Sequence, residues 1–352
     1  MFDDIEQKKE GVLVIVDRYY YHQLNKQEQA IYKAFYDGVM AHQDIIPISV
    51  RDELCQESFE RIFSAMTRDN PLIYFLNQSA CSIASDIFGH MAICPQYFFS
   101  KEKVKEYNRK IEKAVNELAG RLQLLKCNDY EKELRIHDWI CQNIEYDYEG
   151  NDKGKLMRVI ASHNILGVFA HHKAQCEGIA KAVKVLLNAV DVKCIVVTGD
   201  SAKSGQYVPH AWNIVNIDGE PYQLDVTWDM GVMEQSKQHI AYDYFNLTDG
   251  LINSDHKADS GLPECKSKKA NYYVQRGCSF QMRHQLMAYI DRLIEKNEKI
   301  YEFRVEGRLK KSAIEKEVAD YIVQKLQAYG RNCGRVKTSS NKELGIHRIE
   351  IL

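Results

Sequence analysis

Residues 176–190, CEGIAKAVKVLLNAV, set Ile179, Val183, Leu186, Leu187 and Val190 on one helical stripe, and three extended runs follow directly. The runs are KCIVVTGD (193–200), HAWNIVNID (210–218) and EPYQLDVTWD (220–229). Asp218-Gly219 joins the last two with the signal of a tight hairpin. A helix that must bury one face, followed by strands joined through short turns, predicts an α+β core in which the helix lies on an antiparallel sheet.

At 352 residues the chain exceeds one ordinary core, and changes of pattern divide it into 1–102, 103–264 and 265–352. The first part reads as mostly helical. Asn25 with Glu28 has capping-box spacing, and Phe59, Ile62, Phe63 and Met66 share a helical face that Pro71 ends before a strand-like LIYFLN. A long amphipathic helix from 101 carries Val104, Tyr107, Ile111, Val115, Leu118 and Leu122, and a second, from 130, sets His137 on its apolar face as a core histidine. The last part, after the polar KSKK, reads helix (280–296), strand, helix (311–328) and two strands, a small α+β unit without chemistry of its own.

Composition removes several classes. A net charge of −2 with 27% charged residues offers no basic face for nucleic acid. The longest apolar runs, such as GVLVIV at 11–16, are too short to cross a bilayer, and the N-terminus lacks a secretory pattern, so a cytoplasmic location is expected. Ten cysteines without a CxxC pair are expected to be reduced and mostly buried.

Cys176 stands apart because it opens the helix. Free N–H groups and the helix dipole at that point stabilise a thiolate, and the backbone N–H of the same residue can meet the oxyanion of an attacked carbonyl. A thiolate needs an imidazole partner, and the imidazole needs an acceptor that fixes its tautomer. His210 opens one strand and Asp225 lies in the next, nearly opposite and facing the same way, so the order Cys, His, Asp supplies an acyl-transfer triad. Trp212, Tyr222 and Trp228 read as core or pocket wall.

These segments, CEGIAKAVKVLL, HAWNIVNIDGEPYQLDVTWD and the downstream YFNLTD, resemble the transglutaminase-like superfamily, whose papain-like core carries Cys on a helix and His and Asp on adjacent strands. HDWICQNIEYD and DNPLIYFLN are similar to upstream parts of bacterial members, so the resemblance runs over roughly 20–262. It implies Cys176 as nucleophile, His210 as general base and acid, and Asp225 as the orienting carboxylate. Two departures concern the pocket: Ile179 stands where relatives usually have tyrosine, and AHHKAQ replaces a smaller approach to the cysteine. His172 and Gln175 are then the candidates for a second oxyanion donor.

The competing readings are weaker. His163, His171, His172 and Cys176 cluster without zinc-like spacing, so no metal is expected, and nothing calls for a cofactor. Ser201 and Ser204 do not form a nucleophile elbow and are read as a loop leading to His210. The expectation is therefore a cysteine-dependent enzyme acting on peptide or protein amides through a thioester, hydrolytic before transamidating. The alternatives are a transglutaminase and a silent peptide- or protein-binding module. The expected partner is a peptide or protein substrate, with no nucleic acid and no membrane; the sequence leaves oligomeric state open.

Overall fold

The computed structural model describes residues 17–49, 55–152, 154–203, 205–236, 239–311, 313–331 and 334–352; the run at 11–16, Ser204 and Cys333 lie outside them. Helix α1 (Lys26–Met40) starts in the expected capping box, with the Asn25 side chain accepting from Glu28 N and Glu28 reaching back to Asn25 N. Strand β1 (Ile46–Ile48), helix α2 (Gln56–Asp69) and strands β2 (Ser82–Ser85) and β3 (Met91–Cys94) follow, the strands pairing antiparallel in the order β1-β3-β2. The expected strand at LIYFLN is instead a run of turns with one isolated bridge, Leu76 to Tyr97. Four of its residues, Ile73 to Leu76, are buried, which explains an apolar run without a ladder.

Helices α3 (Lys101–Arg121) and α4 (Asp129–Asn143) are those expected. Strand β4 (Glu145–Tyr146), helices α5 (Leu156–Ser162) and α6 (Ile165–His171) and strand β5 (Lys173–Ala174) lead to helix α7 (Cys176–Ala189). The expected stripe of α7 is buried, but so is everything else from Gly178 to Asn188. Such a helix is central rather than amphipathic. Its Lys184 is wholly buried, and Nζ donates to the carbonyls of Asp17 (2.9 Å) and Cys194 (2.7 Å), satisfying a charge that water does not reach.

Strands β6 (Cys194–Lys203), β7 (Gln206–Ile217) and β8 (Glu220–Leu224) form the antiparallel sheet against α7. Asp218 and Gly219 both have positive φ (52° and 85°), as a two-residue hairpin turn requires. The run EPYQLDVTWD is not one strand: β8 ends at Leu224 and helix α8 (Val226–Ser236) begins. Asp225 makes the change, since Oδ1 accepts from Trp228 N (3.0 Å) and its carbonyl from Asp229 N, the contacts of a helix cap. Ser201 is likewise not in a loop but buried within β6. Helix α9 (Asp249–Ile252) and strand β9 (His256–Ala258) complete the sheet order β8-β7-β6-β9.

Helix α10 (Tyr272–Gln275), strand β10 (Ser279–Phe280), helix α11 (Arg283–Glu295), strand β11 (Ile300–Val305), helix α12 (Ile314–Ala328) and strands β12 (Val336–Asn341) and β13 (Ile346–Ile351) build the remainder, with sheet order β10-β11-β13-β12. One apolar cluster runs from Tyr20 to Ala270 and a second from Tyr244 to Ile351. The first joins α1 and α2 to the central sheet, and Tyr20 Oη donates to Val196 O (2.6 Å) across that junction. Among the nine described cysteines none is bonded to another. Four are buried (Cys141, Cys194, Cys265, Cys278), four half-buried and Cys55 exposed, so burial is less general than composition suggested.

Gly178 fixes where α7 begins. A Cβ there would stand 2.5 Å from Ser162 O and 2.9 Å from Asn164 O, backbone that has no rotamer with which to yield. Gly178→Ala is therefore expected to destabilise by roughly 1–3 kcal/mol and to slow alkylation of Cys176 by displacing the first turn. Thermal unfolding and the labelling rate measure the two effects, and a variant unchanged in both would refute the close packing.

Candidate active site

Cys176 is the first residue of α7, with Gln175 as the residue before it in extended conformation (φ −89°, ψ 176°). Gln175 N donates to Ser162 O (2.9 Å) and its side-chain Nε2 donates to Asp147 O (3.0 Å), so the approach to the helix is tied down at two points. That amide is engaged with a backbone carbonyl. His172 ends α6 in the left-handed region (φ 52°) with its side chain exposed.

His210 lies inside β7 rather than at its start, paired in register with Gly199. The β7–β8 register ends at Asn213 with Leu224, so one further step puts Asp225 across from Trp212. His210 is two residues beyond Trp212 and therefore on the same face, which makes its contact with Asp225 diagonal rather than directly opposite. The expected parity holds, and Nε2 of His210 donates to Asp225 Oδ2 at 2.6 Å. Cys176 lies near enough to the ring to help raise the His210 pKa. Cys176 itself is half-buried, whereas His210 and Asp225 are buried.

Burial opposes a charged imidazole, but the Asp225 carboxylate, its hydrogen bond and Cys176 outweigh it and push the His210 pKa up to about 10. Burial likewise opposes a charged Asp225, yet His210 and His256 hold its pKa well below the usual carboxylate range. The sequence reading missed His256. It sits in β9, its ring is buried, and Nε2 donates to the same Oδ2 of Asp225 at 2.9 Å. No motif marks it, because its position depends on β9 pairing beside β6, with Ser201 as its partner in register.

Aromatic rings enclose these groups. Trp212 stacks on His210 with centroids 5.9 Å apart, and its Nε1 donates to Gln223 Oε1 (2.7 Å). Trp228 lies 6.5 Å from His210 and 4.7 Å from His256. Tyr146, from β4, is close enough to Cys176 and Asp225 for their charges to raise its pKa further, after burial has raised it most. Tyr222 is core, its hydroxyl donating to Ser267 Oγ (2.7 Å). His137 is buried with Nε2 3.1 Å from Asp229 Oδ2, a partnered core histidine.

The histidines before Cys176 are dispersed: His163 contacts Glu177 (3.4 Å) and Asn151 (3.0 Å), while His171 and His172 are exposed. Among the described residues, the group with atoms close enough to share a metal is His210, Asp225 and His256. Its N···O separations of 2.6 and 2.9 Å are hydrogen bonds. Ligands around a tetrahedral zinc at bonds of about 2.0–2.2 Å would stand farther apart. No helix of the described residues is long and apolar enough to cross a membrane.

Residues 116–226 match the model of the transglutaminase-like superfamily. The chain is 29% identical over 163 residues to kyphoscoliosis peptidase of Mus musculus, covering 43% of this chain and 24% of that protein. The Homo sapiens protein of the same name is 28% identical over 174 residues, covering 45% and 26%. The match thus spans about a quarter of these relatives' length. Among solved structures, a TGase aligns at 17% identity and TM-score 0.30, covering 52% of this chain and 50% of its own. A structure described as a candidate cysteine protease from Cytophaga hutchinsonii aligns at 14% and 0.28, covering 42% and 61%. Residues 116–226 therefore carry a segment similar to the transglutaminase-like core, and these comparisons support that superfamily for this part of the chain.

Proposed function

We propose that the protein is a cysteine-dependent acyl-transfer enzyme acting on peptide or protein amides, with water as the acceptor. The observation that carries this reading is the His210 ring, hydrogen-bonded to Asp225 at 2.6 Å, with Cys176 at the head of α7 near enough to help raise its pKa. Asp225 fixes the tautomer in which Nε2 carries a proton, which leaves Nδ1 as the atom to take the Cys176 proton in this reading.

The cycle follows from those positions. His210 takes the thiol proton, and the Cys176 thiolate attacks the amide carbonyl to give a tetrahedral oxyanion beside the backbone N–H of Cys176. The C–N bond breaks as the His210 imidazolium gives its proton to the leaving amine, which leaves a thioester on Cys176. His210 then takes a proton from water, the hydroxide adds to the thioester, and the acid departs as the thiol regains its proton. An amine in place of water would give a transglutaminase by the same steps. A pure binding module needs none of the three groups together.

Cys176→Ala is expected to abolish turnover of a peptide amide library while leaving the circular dichroism spectrum unchanged; retained turnover would refute the reading. His210→Ala is expected to cost at least about a hundredfold in kcat. Because the His210 pKa is raised, its positive charge persists at neutral pH and disappears only as pH rises through that raised value. Iodoacetamide labelling of Cys176, read by peptide mass spectrometry, should therefore stay fast below pH 7. In His210→Ala it should follow an ordinary thiol, with a midpoint near about 8.5. Identical profiles in the two proteins would exclude a thiolate–imidazolium pair.

A further inference from the structure

Among the described residues, two carboxylates are the hydrogen-bond partners at the ring nitrogens of His256. Nε2 faces Asp225 Oδ2 at 2.9 Å and Nδ1 faces Asp255 Oδ1 at 2.5 Å. A neutral ring has one N–H and would turn a lone pair toward one of those oxygens, so both contacts are favourable only for the doubly protonated imidazolium. The side chain is wholly buried, and Asp255 is itself held by Tyr244, whose hydroxyl donates to Oδ2 (2.7 Å). Two further titratable groups among the described residues face the ring, His210 on β7 with centroids 5.5 Å apart and Tyr244 at 5.7 Å. Trp212, Trp228 and Tyr244 pack around it.

Asp225 Oδ2 therefore serves two rings, while Oδ1 caps α8. The geometry points to His256 as a positioning residue: its charged ring holds Asp225 in place from behind, and shares the carboxylate's charge so that His210 can still release its proton. This rests on the acyl-transfer reading and deepens it. A buried carboxylate devoted to one imidazole would hold that proton too tightly for an acid that must deliver it to a leaving amine. A second cation on the same oxygen weakens that hold through like-charge repulsion. The ordering of β9 beside β6 then matters to the chemistry, since it delivers the ring that does this.

The test is histidine-selective 15N NMR titration of the full chain in wild type, His256→Gln and Asp255→Asn, with His210→Gln assigning the His210 signal. Gln keeps an N–H toward Asp225 without the charge, and Asp255→Asn leaves His256 in place but removes the partner that charges it. In wild type, His256 should give imidazolium signals at pH 8. In both variants the His210 midpoint should move up by about one pH unit, the scale for losing a neighbouring positive charge in a buried site. A purely structural His256 would leave that midpoint unmoved, or lower it by loosening Asp225. A neutral wild-type His256 at pH 8, or a His210 midpoint unmoved or lowered in either variant, overturns the positioning role. Iodoacetamide labelling of wild-type Cys176 at pH 6 separates the two readings. Fast labelling with unmoved midpoints overturns only the role of His256, and labelling no faster than at Cys81, Cys94 and Cys127 overturns the acyl-transfer reading and this role with it.

Discussion

Asp225 is a carboxylate with no exposed surface, and the site can exist only because its charge is met on every side. An isolated charge in such a place would cost several kcal/mol. Here Trp228 N donates to one oxygen while His210 and His256 donate to the other, and the three donors come from the head of α8, from β7 and from β9. The same side chain that orients the imidazole also ends β8 and starts α8. Chain reversal, helix cap and the hold on the His210 ring are therefore one structural event, which ties correct folding of the hairpin to correct placement of His210.

How much of this the sequence made legible follows from range. The capping box at Asn25 and Glu28, the Asp-Gly turn and the helix at Cys176 are written in neighbouring residues, and each is found where expected. The pairing of His210 with Asp225 was readable through parity, since a period of two keeps the face when the register is off by two residues, as it is here. What was not legible depends on contacts far along the chain. LIYFLN is apolar because Ile73, Tyr74, Phe75 and Leu76 are buried as turns, and composition cannot distinguish that from a strand. DVTWD looked extended because Val, Thr and Trp favour strands, and the capping of α8 by Asp225 overrides that preference. His256 lies 31 residues from Asp225 and enters through strand pairing alone.

The setting of α7 explains why its first turn can be held so closely. A helix buried from Gly178 to Asn188 has neighbours on all sides: the sheet at β6 and β7, and helices α4, α6 and α8. Each buried Val, Leu or Ile contributes about 1.5–3 kcal/mol, so the helix is fixed by packing along its whole length and not by its caps. Gln175 and Gly178 then set the remaining degree of freedom at the start, through Asp147 O and the Ser162 and Asn164 carbonyls. The half-exposed Cys176 is the end of a rigid rod, which suits the proposed nucleophile, whose sulfur would have to meet a ring delivered by a different element.

Helix α8 carries a second buried aspartate one turn beyond the first, and the contrast shows what sets the charge at Asp225. Asp229 is equally inaccessible and also faces a histidine, His137 at 3.1 Å, with Tyr244 N donating to its other oxygen (2.9 Å). Burial nevertheless pushes its pKa up to about 6, with the nearby Asp225 charge adding to the rise, whereas Asp225 is driven in the opposite direction. Distance from water is the same for both. The difference is that Asp225 has two imidazoles on one oxygen, one of them caught between it and Asp255. Two imidazoles on one oxygen thus lower the pKa of Asp225, while one imidazole leaves burial the stronger influence at Asp229.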